Sequence, residues 1–131
     1  EHITPLLMGL KHFKDHLLDF EMLMKRYGFP IPRLYRPPNG IMARSQLRFT
    51  QSLGYSVVMG DVYPRDAQGA DASVLCSRVL NDIRPGSIII LHAGIPGNQR
   101  RIYPYNTPEA LDLMLPQLLD TGYKFVDIEN I

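Results

Sequence analysis

The residues best equipped for chemistry are an imidazole, a guanidinium and two carboxylates, each placed just after a run that reads as a strand. His92 follows Ser87-Ile88-Ile89-Ile90-Leu91, Arg36 follows Arg33-Leu34-Tyr35, and Asp61 and Asp66 follow Tyr55 to Met59. An imidazole gives or takes a proton near neutral pH, and a nearby carboxylate favours its charged form. In a parallel α/β sheet the carboxyl ends of the strands share one rim, so three successive strand ends bring these groups to one mouth. A cation, carboxylates and an imidazole there suit acid/base catalysis. Position alone leaves His92 open between an acid/base, a metal ligand and a neutral rim histidine tied to a carbonyl. An Arg–Asp pair reads equally well as a surface salt bridge.

The elements that must position these groups follow from the pattern. Four large apolar residues in a row, Ile88 to Leu91, cannot alternate in and out, so the spacing predicts a strand buried on both faces. Pro85-Gly86 turns the chain into it, and Gly94 with Pro96-Gly97 ends it. A helix is predicted from about Phe13 to Tyr27, with Leu17, Leu18, Phe20, Met22, Leu23 and Met24 as core and Gly28 as its stop. A second runs from Met42 to Leu53 and ends at Gly54. Asp71 caps a third, which buries Val74, Leu75, Val79 and Leu80. Thr107-Pro108-Glu109 opens a fourth, with Thr107 as cap, and Pro116 should kink it. Tyr123 to Ile128 reads as the last strand. Helix then strand, four times over, argues for an α/β fold with parallel strands joined by right-handed crossovers.

At 131 residues this is one domain's worth of chain. Its 14 basic and 13 acidic residues give a net charge of +1, so no field points to nucleic acid or an anionic membrane. No apolar run reaches the length of a membrane span. Cys76 is the lone cysteine, which excludes an internal disulfide and reads as a small core residue.

Arg36-Pro37-Pro38-Asn39-Gly40, then Gly60-Asp61-Val62-Tyr63-Pro64-Arg65-Asp66, then Leu91-His92 resemble, in this order, the later motifs of the NodB-type polysaccharide deacetylases. Thr107-Pro108-Glu109-Ala110-Leu111 and Gly122-Tyr123-Lys124-Phe125-Val126 are similar to that family's C-terminal end. The resemblance implies an irregular (β/α)7 barrel, of which residues 1–131 would be the C-terminal portion. It implies a hydrolase that removes acetyl groups from chitin-like or peptidoglycan polymers by cleaving linear amide bonds, aided by a divalent metal, often zinc. It also implies roles: His92 as general acid, Asp66 tuning its charge, Arg36 orienting a base aspartate, and the Asn39 backbone N–H facing the oxyanion. Pro37 belongs to the same motif, while Pro38, Tyr63 and Leu91 would wall the acetyl pocket, and His2 would be one metal ligand. Such enzymes usually work outside the membrane.

Several family features do not occur in these residues. The opening Thr-Phe-Asp-Asp motif and the first metal histidine are missing, Ala67 stands where a Trp is usual, and Ala93 where an acid is usual. His12 and His16, at i,i+4, are expected to be solvated or capping. The chain, which begins at Glu1-His2, is therefore expected to be part of a longer domain and inactive alone. Its exposed sheet edges would be covered by the missing half or by self-association. A catalytically inactive NodB-like domain that binds a glycan or partner is the alternative.

Overall fold

In the computed structural model, which describes residues 5–93 and 105–128, α1 spans Leu10–Arg26. Gly28, at φ +71°, takes the left-handed conformation that closes the helix. The chain forms two compact units, Glu1–Met59 and Gly60–Ile131.

In the first unit α1 lays Phe13, Leu17 and Glu21 inward, one stripe at i, i+4, i+8. Phe13, Leu17 and Tyr55 form the core, with Tyr35, Met42, Phe49 and Leu53 packed around them. The expectation that α1 buries its other large residues is corrected: Leu18, Phe20, Met22 and Leu23 are exposed, and Met24 is only half-buried. A single packed face admits only three or four positions per two turns, and Glu21 occupies one of them. Its carboxylate accepts a 2.6 Å bond from Arg33 Nη1, which compensates its burial.

After β1 (Leu34–Tyr35) and a 3-10 turn at Pro38–Gly40 comes α2 (Arg44–Ser52), then β2 (Ser56–Val57). The strands pair in parallel, Leu34 with Ser56 and Tyr35 with Val57. Gln46, almost fully buried, accepts from the Ala43 N–H at 2.8 Å and donates to the carbonyls of Pro5 at 2.6 Å and Met8 at 2.9 Å. This one amide satisfies three backbone groups and ties the start of the unit to α2.

In the second unit α3 (Ala72–Asp82) packs on α4 (Thr107–Asp120) through Leu75, Cys76, Val79, Ala110, Met114 and Leu118. Val74 is exposed and Leu80 half-buried, so the buried stripe of α3 is rotated from the expected one and takes in Cys76. α4 runs on through Pro116.

Two expected strands are corrected. The run Ser87 to Leu91 is half-buried and makes a single parallel bridge, Ile89 with Val62. Ile90 N–H donates to Val62 O at 2.8 Å, but two residues on the neighbour is Pro64, which has no N–H to continue a ladder. Residues 123–127 form no strand: Phe125 and Val126 lie exposed, with no described neighbour to pair with. The described residues are thus α/β with parallel pairing, in the form of one two-stranded sheet and one bridge rather than a closed barrel.

Gly60 fixes the approach of the Ile88–Ile90 segment. A Cβ there would collide with the Ile90 side chain and meet the Ile88 carbonyl oxygen at 2.9 Å. The side chain can move, but the carbonyl belongs to the bridge. Gly60→Ala should therefore destabilise the protein by roughly 1–3 kcal/mol, read from the midpoint of urea unfolding.

Candidate active site

Asp66 is the centre of the second unit's polar chemistry. Arg65, a non-glycine residue at φ +62°, turns the chain so that a 3-10 turn begins at Asp66 and its carboxylate faces inward. The Asp66 side chain is 0% exposed. A buried carboxylate must be matched by donors, and three are present. Its Oδ1 bonds His92 Nδ1 at 2.8 Å. Its Oδ2 accepts from the His92 backbone N–H at 2.7 Å and from the Thr107 hydroxyl at 2.9 Å. Burial pushes the Asp66 carboxyl up, but the His92 N–H, the imidazole and the Thr107 hydroxyl outweigh it and hold the group below its ordinary value.

His92 is fixed at one edge and open at the other. Nδ1 is engaged by Asp66, while the side chain remains 40% exposed. Among the described residues no hydrogen bond engages Nε2. The Tyr105 hydroxyl donates to the His92 carbonyl at 2.8 Å. Tyr63, about half exposed, sets its ring centroid 6.2 Å from the imidazole at an interplanar angle of 59°. Leu91 is half-buried beside His92. Arg78 Nη1 donates to Pro64 O at 2.8 Å and braces the loop that carries Tyr63 and Asp66.

Asp61, expected with Asp66 among the rim carboxylates, has a different task. It accepts from Ile88 N–H at 2.8 Å, Ser87 Oγ at 2.9 Å and Arg84 Nη2 at 3.2 Å. The Ile88 N–H, then the Ser87 hydroxyl, hold its carboxyl below its ordinary value. Its role is to pin the turn before the Ile88–Ile90 segment. Thr107, expected to cap α4, is instead its first residue and directs its hydroxyl to Asp66; Asn106 stands at the cap position and donates through Nδ2 to Ala70 O at 3.0 Å.

Arg36, Pro37, Pro38 and Asn39 belong to the first unit, directly after β1. Arg36 and Pro38 line a groove of about 360 Å³ together with Phe13, Leu17, Tyr35 and Tyr55. Asn39 takes φ +58° inside the 3-10 turn, and the Gly40 N–H closes it onto Pro37 O at 2.9 Å. His2 lies outside the described residues. His12 and His16 are exposed, with rings stacked 5.0 Å apart. Among the described residues no three His, Cys, Asp or Glu side chains gather to hold a metal ion, so they do not by themselves fit a divalent site. None of the described helices is long and apolar enough to cross a membrane.

Thr107 and Tyr105 are the site residues that sequence reasoning did not assign. The threonine was visible as a helix-start signal, but nothing local in the sequence shows that its hydroxyl reaches a carboxylate 41 residues away.

No family model matches the chain. Over 119 residues it is 27% identical to a peptidoglycan-N-acetylglucosamine deacetylase of Bacillus cereus, a match covering 91% of this chain and 42% of that protein. A chitooligosaccharide deacetylase of Sinorhizobium fredii is 34% identical over 95 residues, 70% of this chain and 44% of the relative. The chain thus spans less than half the length of these curated relatives. Among solved structures, a peptidoglycan N-acetylglucosamine deacetylase superposes with a TM-score of 0.86 at 25% identity, over 99% of this chain and 58% of that one. A family 4 acetyl xylan esterase from Clostridium thermocellum, in complex with a cobalt ion, gives 0.80 at 26% identity, over 99% and 59%. Sequence and fold agree: the chain is a relative of the polysaccharide deacetylases, the NodB-type family its motifs resemble.

Proposed function

We propose that the protein is a hydrolase that removes acetyl groups from an N-acetylated polysaccharide of the chitin or peptidoglycan kind, with His92 as the general acid. The supporting observation is the buried Asp66 carboxylate bonded to Nδ1 of an imidazole that remains 40% exposed. Water adds to the acetyl carbonyl, the carbon–nitrogen bond breaks, and acetate and a free amine are the products. An amide anion is a very poor leaving group, so the nitrogen must be protonated as it departs. His92 gives that proton from Nε2, while Asp66, bonded to Nδ1, holds the orientation of the ring.

The other roles rest on the resemblance. Arg36 orients the base aspartate, whose motif these 131 residues lack. The Asn39 backbone N–H faces the developing oxyanion, a donor worth about 3 kcal/mol of barrier. Pro37 and Pro38 belong to that loop, and Tyr63 and Leu91 wall the acetyl methyl; the exposed Tyr63 ring beside His92 supports this. A divalent metal, zinc or another, would use His2 as one ligand and needs further ligands besides it. The exposed apolar residues of α1, Leu18, Phe20, Met22 and Leu23, support a covering layer of further protein, either more of the same domain or a second copy. The relatives named for peptidoglycan and chitooligosaccharides favour work at or beyond the cell surface.

The test is acetate release by the full-length protein, supplied with divalent metal, from N-acetylated chitooligosaccharide, from peptidoglycan and from acetylated xylan. Release from either of the first two supports the proposal. Binding of these polymers with no acetate released from any of them would support the inactive glycan-binding reading instead.

A further inference from the structure

We propose that Thr107 is a positioning residue for the proposed acid: its hydroxyl, presented by the first turn of α4, holds Asp66 in the orientation that aims the His92 ring. This rests on the deacetylase reading for its catalytic meaning, though not for its geometry. Thr107 is 2% exposed and its Oγ1 lies 2.9 Å from Asp66 Oδ2. That oxygen also takes the His92 backbone N–H at 2.7 Å, while Oδ1 takes the ring at 2.8 Å. The two oxygens are thus divided, one reserved for the imidazole and one fixed by two neutral donors. A carboxylate pinned this way cannot rotate about its own axis without losing all three bonds. A buried β-branched side chain is stiff at χ1, so Thr107 transmits the position of α4 with little play.

The same turn grips the other partner. Tyr105, two residues before Thr107, donates to the His92 carbonyl at 2.8 Å. Asp66 and His92 are therefore both referred to residues 105–107, at the start of α4. No water can replace the Thr107 hydroxyl if it is removed, because the Asp66 side chain is fully buried. Among the described residues Tyr63 also stands beside the pair, its ring 6.2 Å from that of His92.

The test compares Thr107→Val and Thr107→Ser with wild type in the full-length protein. Asp66 protonation is followed by NMR of its carboxyl carbon, alongside kcat and KM for acetate release. In the valine variant the Asp66 titration should move upward toward its ordinary 3.8, kcat should fall roughly tenfold with KM unchanged, and the serine variant should restore both. A valine variant that loses stability but titrates as wild type does, or a serine variant that restores nothing, overturns the proposal. Should the valine variant not fold, Thr107→Ala poses the same question without added bulk. If the wild type releases no acetate, the deacetylase reading falls while the NMR titration still decides whether Thr107 sets the Asp66 carboxylate.

Discussion

Replacing His92 with Ala in the full-length protein should lower acetate release from an N-acetylated oligosaccharide by roughly 10²–10⁴-fold, the range a positioned general acid contributes. Glycan binding should survive, because the role proposed for the ring is proton donation and not binding. The loss should depend on the leaving group. An amine must receive a proton to depart, whereas a phenolate with a low pKa leaves unaided. On an aryl acetate the variant should therefore keep most of the wild-type rate. An equal loss on both substrates would mean that His92 binds or supports rather than donates, and the assigned role would be withdrawn. Far-UV dichroism of the variant checks that the fold is intact.

The second large effect belongs to Asp66. Asp66→Asn keeps the shape but puts an amide where a carboxylate accepts three donors. One of its two polar atoms then faces a donor with a donor, in a place closed to water. The expected cost is about 2–4 kcal/mol at neutral pH, measured by urea unfolding. The pH dependence follows from the direction of its shift. The folded carboxyl titrates below its ordinary 3.8, so its contribution is fully present above that value and is lost as pH falls through the lower folded one. The stability gap between wild type and variant should thus be widest at neutral pH and close under strongly acid conditions. A gap that stays constant down to the acid unfolding limit would show that Asp66 is not the depressed carboxylate described.

Much of this was legible from local signals. Gly28 and Gly54 marked helix ends because a left-handed residue is a local requirement, and both take positive φ. Thr107-Pro108 marked the start of α4 for the same kind of reason. Strands were less legible, since a strand depends on what lies beside it. Ser87 to Leu91 has the composition of a central strand, yet Pro64 cuts its pairing after one bridge. Which apolar residues of α1 are buried was also hidden, because Leu18 and Phe20 look like core until the single packed face is known.

The site divides in the same way. Asp66 and His92 were chosen by their places after strand ends and by motif, and they meet at 2.8 Å. Asp61 carried the same signal but serves the Ser87 turn, a distinction that no residue type could reveal. Arg36 and Asn39 lie in the first unit, and their roles rest on the resemblance alone.

The three anchors of the Asp66 carboxylate come from stretches 26 and 41 residues away along the chain. Closing loops of that size costs entropy before any bond repays it, and the full set of three bonds forms only once the start of α4 has docked beside Asp66. In a refolding time course helical signal should return first and the lowered titration of Asp66 afterwards. The state of one carboxylate would thereby serve as a clock for the last step of assembly.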